Sequence, residues 1–425
     1  MPRRGAPLKT TELGAAESLL SAAAVRARCR QILEAGLAGR LPHFNVVLDR
    51  LDDAARYVAE TVRHNYPSLD VPFHARWRHF VVAGQDRWQA AIDEGLVPAD
   101  PDERARTRFE LAIVSVLLDA GAGPEWRWAE VVAGRDGQAR WLHVGRSEGL
   151  ALASLDAWRR GYFSSSLHTP RLADAGGLAT LSAEDLAKAF MVGPGNGLVG
   201  LEGRAALLNR LGEAIEARPD LFGAEGRLGG LYDTMVARAG PHGLTAPDML
   251  RVVLEALGPI WPGRQKLAGV DLGDTWTHPA VVTDDATNGL VPFHKLSQWM
   301  TYSLIEPMRE AGHEVGDLDG LTGLAEYRNG GLFLDLGVIE AKNQSLLSRE
   351  HRAGDEPVVE WRALTVALLD EIAPRVRSVL GVTAERMPLA SILEGGTWSA
   401  GRRIARERRA DGGPPLQIVS DGSVF

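Results

Sequence analysis

Cysteine is almost missing from this sequence, with Cys29 the single thiol among 425 residues. One thiol excludes an intramolecular disulfide framework and a thiolate-rich zinc or iron–sulfur site, and it fits a reducing cytosol. The expected location is therefore cytoplasmic. Long apolar runs are lacking as well, since no stretch approaches the roughly 18 uncharged apolar residues that cross a bilayer. The alanine-rich run near the start is broken by Glu17, Arg26, Arg28 and Arg30, and reads as an amphipathic helix beginning near Thr10-Thr11-Glu12 rather than as a targeting segment. No membrane partner is expected. Net positive charge is absent too: the formal charge is −8, with both signs mixed along the chain, which leaves no broad footprint for nucleic acid. A small anionic ligand needs only a local cluster of donors and stays compatible with that balance.

Several catalytic signatures are missing. His278, His294 and His313 have neither HExxH nor His-x3-His spacing, so the helical i, i+4 geometry of a zinc site is not there. There is no G-x-S-x-G elbow and no Walker A motif, and Cys29 sits in a helical stretch expected to be packed. No metal and no cofactor is expected. What remains is the chemistry of carboxylates and lysine.

What the sequence does carry is helical periodicity, with 45% hydrophobic residues to build a core. The expected fold is mainly α, multi-helical and globular, with minor short β elements. Residues 1–175 form an N-terminal helical region and 176–425 a C-terminal helical region carrying the site, the two making one compact unit. Helical periods run from Thr11 to about Asn65, then over 101–120, 147–158, 182–190 with Ser182 as N-cap, 201–217, 228–239, 246–257, 363–380, 387–394 and 401–409. A hairpin arm is expected over Arg140–Val144 after a turn at Asp136-Gly137, and a short strand and turn in the tail from Pro414 to Gly422.

The richest stretch is Val291–Gly337. Lys295, Gln298, Trp299 and Tyr302 fall at i, i+3, i+4 and i+7, which places an amine, an amide, an indole and a phenol on one helical face. Glu326 follows among apolar residues, with Asn329-Gly330-Gly331 reading as a helix stop. A lysine and a carboxylate on adjacent helices then face one cavity, as a catalytic pair or as a structural ion pair. Residues 195–200 match G-x-G-x-x-G, but a helical run precedes them where a dinucleotide fold requires a strand. Gly195, Asn196 and Gly197 thus form either a phosphate-holding helix start or a tight turn between helices. The segment Val71–Phe80, with His74, Arg76 and Arg78 around Trp77, is either aromatic packing with snorkelling arginines or a ligand contact. A second polar cluster, Asp271, Asp274, Trp276 and His278, lies just ahead of the central stretch.

GNGLVGLEGRAALL, GDTWTHPAV, GLVPFHKLSQWMTYSLIEP, LTGLAEYRNGGLFLDLGVI, EGGTWSAGRRIA and PPLQIVSDGSVF together resemble the fungal and bacterial uracil-catabolism protein family, over nearly the whole chain. That family belongs to a pathway in which uracil becomes its ribonucleotide, the ring is opened and urea is released. The resemblance implies a small ribonucleotide-derived substrate and leaves room for association with other uracil-catabolism enzymes. LTGLAEYRNGGLFLDLG and HKLSQW are similar, more faintly, to motifs of the queuosine-salvage nucleotide N-glycosidases. Those enzymes have a fold like helix-hairpin-helix DNA glycosylases, which the resemblance extends to the C-terminal part here. It also implies that Lys295 and Glu326 act at a glycosidic bond. Glutamate replaces the aspartate of the salvage motif, and its extra methylene leaves nucleophile and water-activating base both open.

Together the two resemblances imply an N-glycosidase that hydrolyses the C1′–N bond of a ribosylurea 5′-phosphate-like ribotide to urea and ribose 5-phosphate. Glu326 would stabilise positive charge and orient water, and Lys295 would hold it ionised. Gln298, Tyr302, Asp271 or Asp274 would pass a proton to urea; the 195–200 loop, Arg328 and Arg76 would take the phosphate. Trp299, Trp276, His278 and His74 complete the expected substrate contacts. An amidohydrolase cutting the ureido or amide group, and a non-catalytic protein channelling the intermediate, are the alternatives.

Overall fold

Caps and prolines start several of the long helices. Asp100 accepts the N–H of Glu103 with Pro101 in the first turn of the helix Pro101–Leu117, and Thr245 does the same for Asp248 in Ala246–Leu257. Ser182 and Asp185 form a reciprocal capping box on Ala183–Ala189. Gly381, with φ of 72°, supplies the left-handed residue that ends the 25-residue helix Glu356–Leu380.

The computed structural model describes residues 6–133, 138–241, 243–261 and 265–419. The expected turn at Asp136-Gly137 and the end of the tail, Ser420 to Gly422, lie outside the described residues. The fold is mainly α: among the described residues, strands occur only as two-stranded ladders. The expected hairpin is present, with Trp128–Ala133 antiparallel to Ala139–Val144 and Trp128 opposite Val144. Gln417–Val419 pairs in parallel with Glu350–Arg352. Among the described residues no helix is long and apolar enough to cross a membrane.

Glu356–Leu380 packs on Ala22–Leu37 and Leu51–Asn65, while Lys295–Glu310 packs on Pro101–Leu117. Their buried Leu, Val, Ile and aromatic side chains belong to one core cluster running from Ala22 to Leu416. Burying side chains of this kind contributes roughly 1.5–3 kcal/mol each before conformational entropy is subtracted.

Four expectations change. The period from Thr11 to Asn65 is interrupted: Ser21 caps a new helix, and Phe44–Val46 becomes a strand antiparallel to Ile339–Ala341. Asn329-Gly330-Gly331 does not stop a helix. It lies within Tyr327–Asp335, and Glu326 is the N-cap of that helix. The glycines are there for close approach, since a Cβ on Gly330 would stand 2.6 Å from the Trp361 ring and one on Gly331 would stand 3.0 Å from Pro415. The segments 387–394 and 401–409 join through Leu389–Ser391, a π-helical stretch Ile392–Trp398 and the helix Ser399–Arg408. Arg76 does not snorkel to water, because it is fully buried in the short 3₁₀ turn Arg76–Phe80.

Candidate functional site

Two helix starts build the floor of the site. The amide of Lys295 donates to Asp274 Oδ2 at 3.1 Å at the head of Lys295–Glu310, directly after His294, which has a left-handed φ of 48°. Asp274 is held by Arg362 through two hydrogen bonds of 2.7 and 2.8 Å, and Arg362 Nε donates to the carbonyl of Ala325. One buried ion pair therefore links the backbone beside Lys295 to the backbone beside Glu326. Burial opposes ionisation of Asp274, but the guanidinium outweighs it and holds the carboxyl well below the usual carboxylate range.

Glu326 accepts the N–H of Asn329 at 2.6 Å on Oε1 and that of Arg328 at 2.8 Å on Oε2, so its carboxylate faces the positive end of its own helix. It lines a cavity of about 340 Å³ that Lys295 and Trp299 also line. Burial pushes the Glu326 carboxyl up and the Lys295 ammonium down, and each group's charge opposes the shift of the other. Lys295 Nζ lies 5.9 Å from the Trp299 ring centre.

The expected face of Lys295, Gln298, Trp299 and Tyr302 divides. Lys295 and Trp299 reach the cavity, whereas Gln298 exchanges hydrogen bonds with Thr322 and Tyr302 donates to the Thr322 carbonyl at 3.0 Å. Those two anchor the loop before Glu326 and do not line the cavity.

The walls come from elsewhere in the chain. His74 and His79 approach from the 71–80 segment, and Asp119 follows the helix Pro101–Leu117. Arg146, Ser147 and Glu148 open the helix Arg146–Arg159; Trp398 and Arg402 come from the π-helical stretch and its continuation. Arg76 sits behind this wall, donating to Ser115 and, at 2.9 Å, to Asp119. Glu148 pairs with Arg402 at 3.0 Å. Among the described residues, Lys295, Arg146 and Arg328 form no salt bridge, which leaves three cations around the one unpaired carboxylate of Glu326. A site of that balance suits an anionic ligand.

The other expected residues stand outside the cavity. Asp271 and Asp274 border a separate space of about 20 Å³, room for little more than a water. Trp276 donates to Asp274, and His278 pairs with Glu360 at 3.2 Å in the core. Gly195, Asn196 and Gly197 form a turn in which the Asn196 side chain bonds the backbone of Arg127 and Met191. Val199 then donates to the carbonyl of Ala122, so the loop buttresses a cavity wall without lining it. Sequence reasoning missed Arg146, Ser147 and Glu148, for which no motif gives a signal. Glu394 and Trp398 lay in the recognisable EGGTW segment without an assigned role.

Comparison with known proteins gives consistent results over almost the whole chain. The family described as Protein of unknown function (DUF1688) matches residues 18–425. Protein urg3 of Schizosaccharomyces pombe is 36% identical over 417 residues, covering 96% of this chain and 98% of that protein. Uracil catabolism protein 4 of Lachancea kluyveri is 33% identical over 417 residues, covering 91% and 93% respectively.

Proposed function

The chain belongs to the DUF1688 family, and from that footing we propose that it is an N-glycosidase of uracil catabolism, hydrolysing a ribosylurea 5′-phosphate to urea and ribose 5-phosphate. The name of the Lachancea kluyveri relative supports the pathway. The observation that carries the chemistry is Glu326, a buried carboxylate fixed by two backbone amides and facing the cavity it shares with Lys295.

Breaking the C1′–N bond leaves positive charge on the ribose ring. A carboxylate in a water-poor pocket stabilises that charge and takes the proton of an incoming water. The two amides orient Glu326, and the Lys295 ammonium favours its ionised form against the cost of burial. Arg146 and Arg328, free of acidic partners among the described residues, provide for the phosphate. Trp299 and Trp398 offer apolar faces to the sugar.

The test is to incubate purified protein with synthetic ribosylurea 5′-phosphate and measure urea and ribose 5-phosphate. Equal amounts of both are expected, with Glu326→Gln slower by roughly 100-fold or more. Absence of urea from the folded wild type, or full activity in Glu326→Gln, overturns the proposal.

A further inference from the structure

Urea is a poor leaving group as an anion, and Gln298, Tyr302, Asp271 and Asp274, the donors expected from sequence, do not line the cavity. Two histidines do. His79 has no hydrogen-bond partner on Nδ1 and no carboxylate hydrogen-bonded to its ring among the described residues, and burial beside Arg76 pushes it down to about 4. His74 is as buried, but its ring is held by a carboxylate. Its Nδ1 lies 2.6 Å from Glu394 Oε2, and Nε2 has no hydrogen-bond partner among the described residues while the ring lines the cavity. The ring stands between Trp299 and Trp398, at centre distances of 6.1 and 5.3 Å, and its backbone N–H is fixed to the carbonyl of Ala390.

Glu394 belongs to the π-helical stretch Ile392–Trp398, a geometry that re-aims side chains and recurs at functional sites. A carboxylate on Nδ1 fixes the tautomer, directs Nε2 outward and stabilises the imidazolium. His74 and Glu326 line the same cavity, so both groups act on one space.

We propose that His74, positioned by Glu394, is the general acid that protonates the departing urea nitrogen. The inference rests on the glycosidase reading above. As the C1′–N bond breaks, its electron pair passes to nitrogen, and His74 Nε2–H supplies the proton that lets urea leave neutral. The oxygen of water bonds to C1′ while Glu326 takes the released proton, which returns to His74 through solvent. Glu394 is a positioning residue.

Two substrates separate this role from a structural one: ribosylurea 5′-phosphate, whose leaving group needs a proton, and 4-nitrophenyl ribofuranoside 5′-phosphate, whose leaving group does not. His74→Asn is expected to slow urea release by about 100-fold or more, the scale of general acid catalysis, and nitrophenolate release by less than about fivefold. Glu394→Gln keeps the size and reach of the side chain and is expected to show the same selectivity with a smaller loss; it decides the matter if His74→Asn does not fold. Glu326→Gln should depress both reactions. Equal losses on the two substrates, or none, overturn the assignment of His74 alone. If the wild type cleaves neither substrate, the glycosidase reading falls and this assignment with it.

Discussion

Lys295 and Glu326 line one cavity from two successive helix starts, yet no salt bridge closes between them. Their coupling is through the field across the cavity, since each appears among the charges that shift the other. A closed ion pair would fill the space. An open one leaves room for the sugar of the proposed substrate, whose developing charge would replace the lysine as the carboxylate's counterion.

That arrangement fixes a sign. Burial already raises the Glu326 carboxyl, and Lys295 opposes the rise. In Lys295→Met the carboxyl should rise further, so the ionised form is reached only at higher pH. The acid limb of the kcat/KM profile should move upward, with activity partly recovered in alkaline buffer. An unmoved limb would show that the two groups are not coupled.

The phosphate is expected at Arg146 rather than at the glycine-rich turn. Arg146→Ala should weaken ribose 5-phosphate binding by about tenfold, the loss of one charge-assisted hydrogen bond. Gly197→Ala should change it by less than about twofold, because a Cβ there meets only Glu125 at 3.9 Å. Calorimetric titration of both variants measures the contrast.

The Asp274–Arg362 pair is expected to hold the site together. Asp274→Asn leaves a buried guanidinium without its charge partner and should cost about 3–5 kcal/mol, read from the urea unfolding midpoint. The folded carboxyl lies below its unfolded value, so its contribution is present above about pH 4 and is lost as pH falls through the folded pKa. The variant should therefore lose the part of acid sensitivity that the wild type shows below pH 4.

Gly330→Ala is expected to destabilise by roughly 1–3 kcal/mol, since the new methyl meets the Trp361 ring and Thr365 Oγ1 at 2.6 and 2.7 Å. A lowered melting temperature in that variant would mark these glycines as packing residues.

These cases show which features local sequence can reveal. The helix over 201–217, the N-cap at Ser182 and the hairpin arm ending at Val144 are specified by residues within one or two turns, and local sequence located them. Asn-Gly-Gly misled because glycine serves both left-handed stops and close helix contacts, and only the distant Trp361 decides between them. Lys295, Trp299, Glu326, Arg328 and His74, singled out by chemical type, do line one cavity. Arg146 and Arg402 were not singled out, because their position on the cavity depends on how far-separated helices pack.

The cavity draws its walls from stretches scattered between His74 and Pro414. Occupancy should therefore be thermodynamically inseparable from the folding of the chain as a whole. Ribose 5-phosphate at 100 times its dissociation constant would add about 2.7 kcal/mol to the unfolding free energy. A fragment lacking either end of that span should lose this linkage completely, not in proportion to the residues removed.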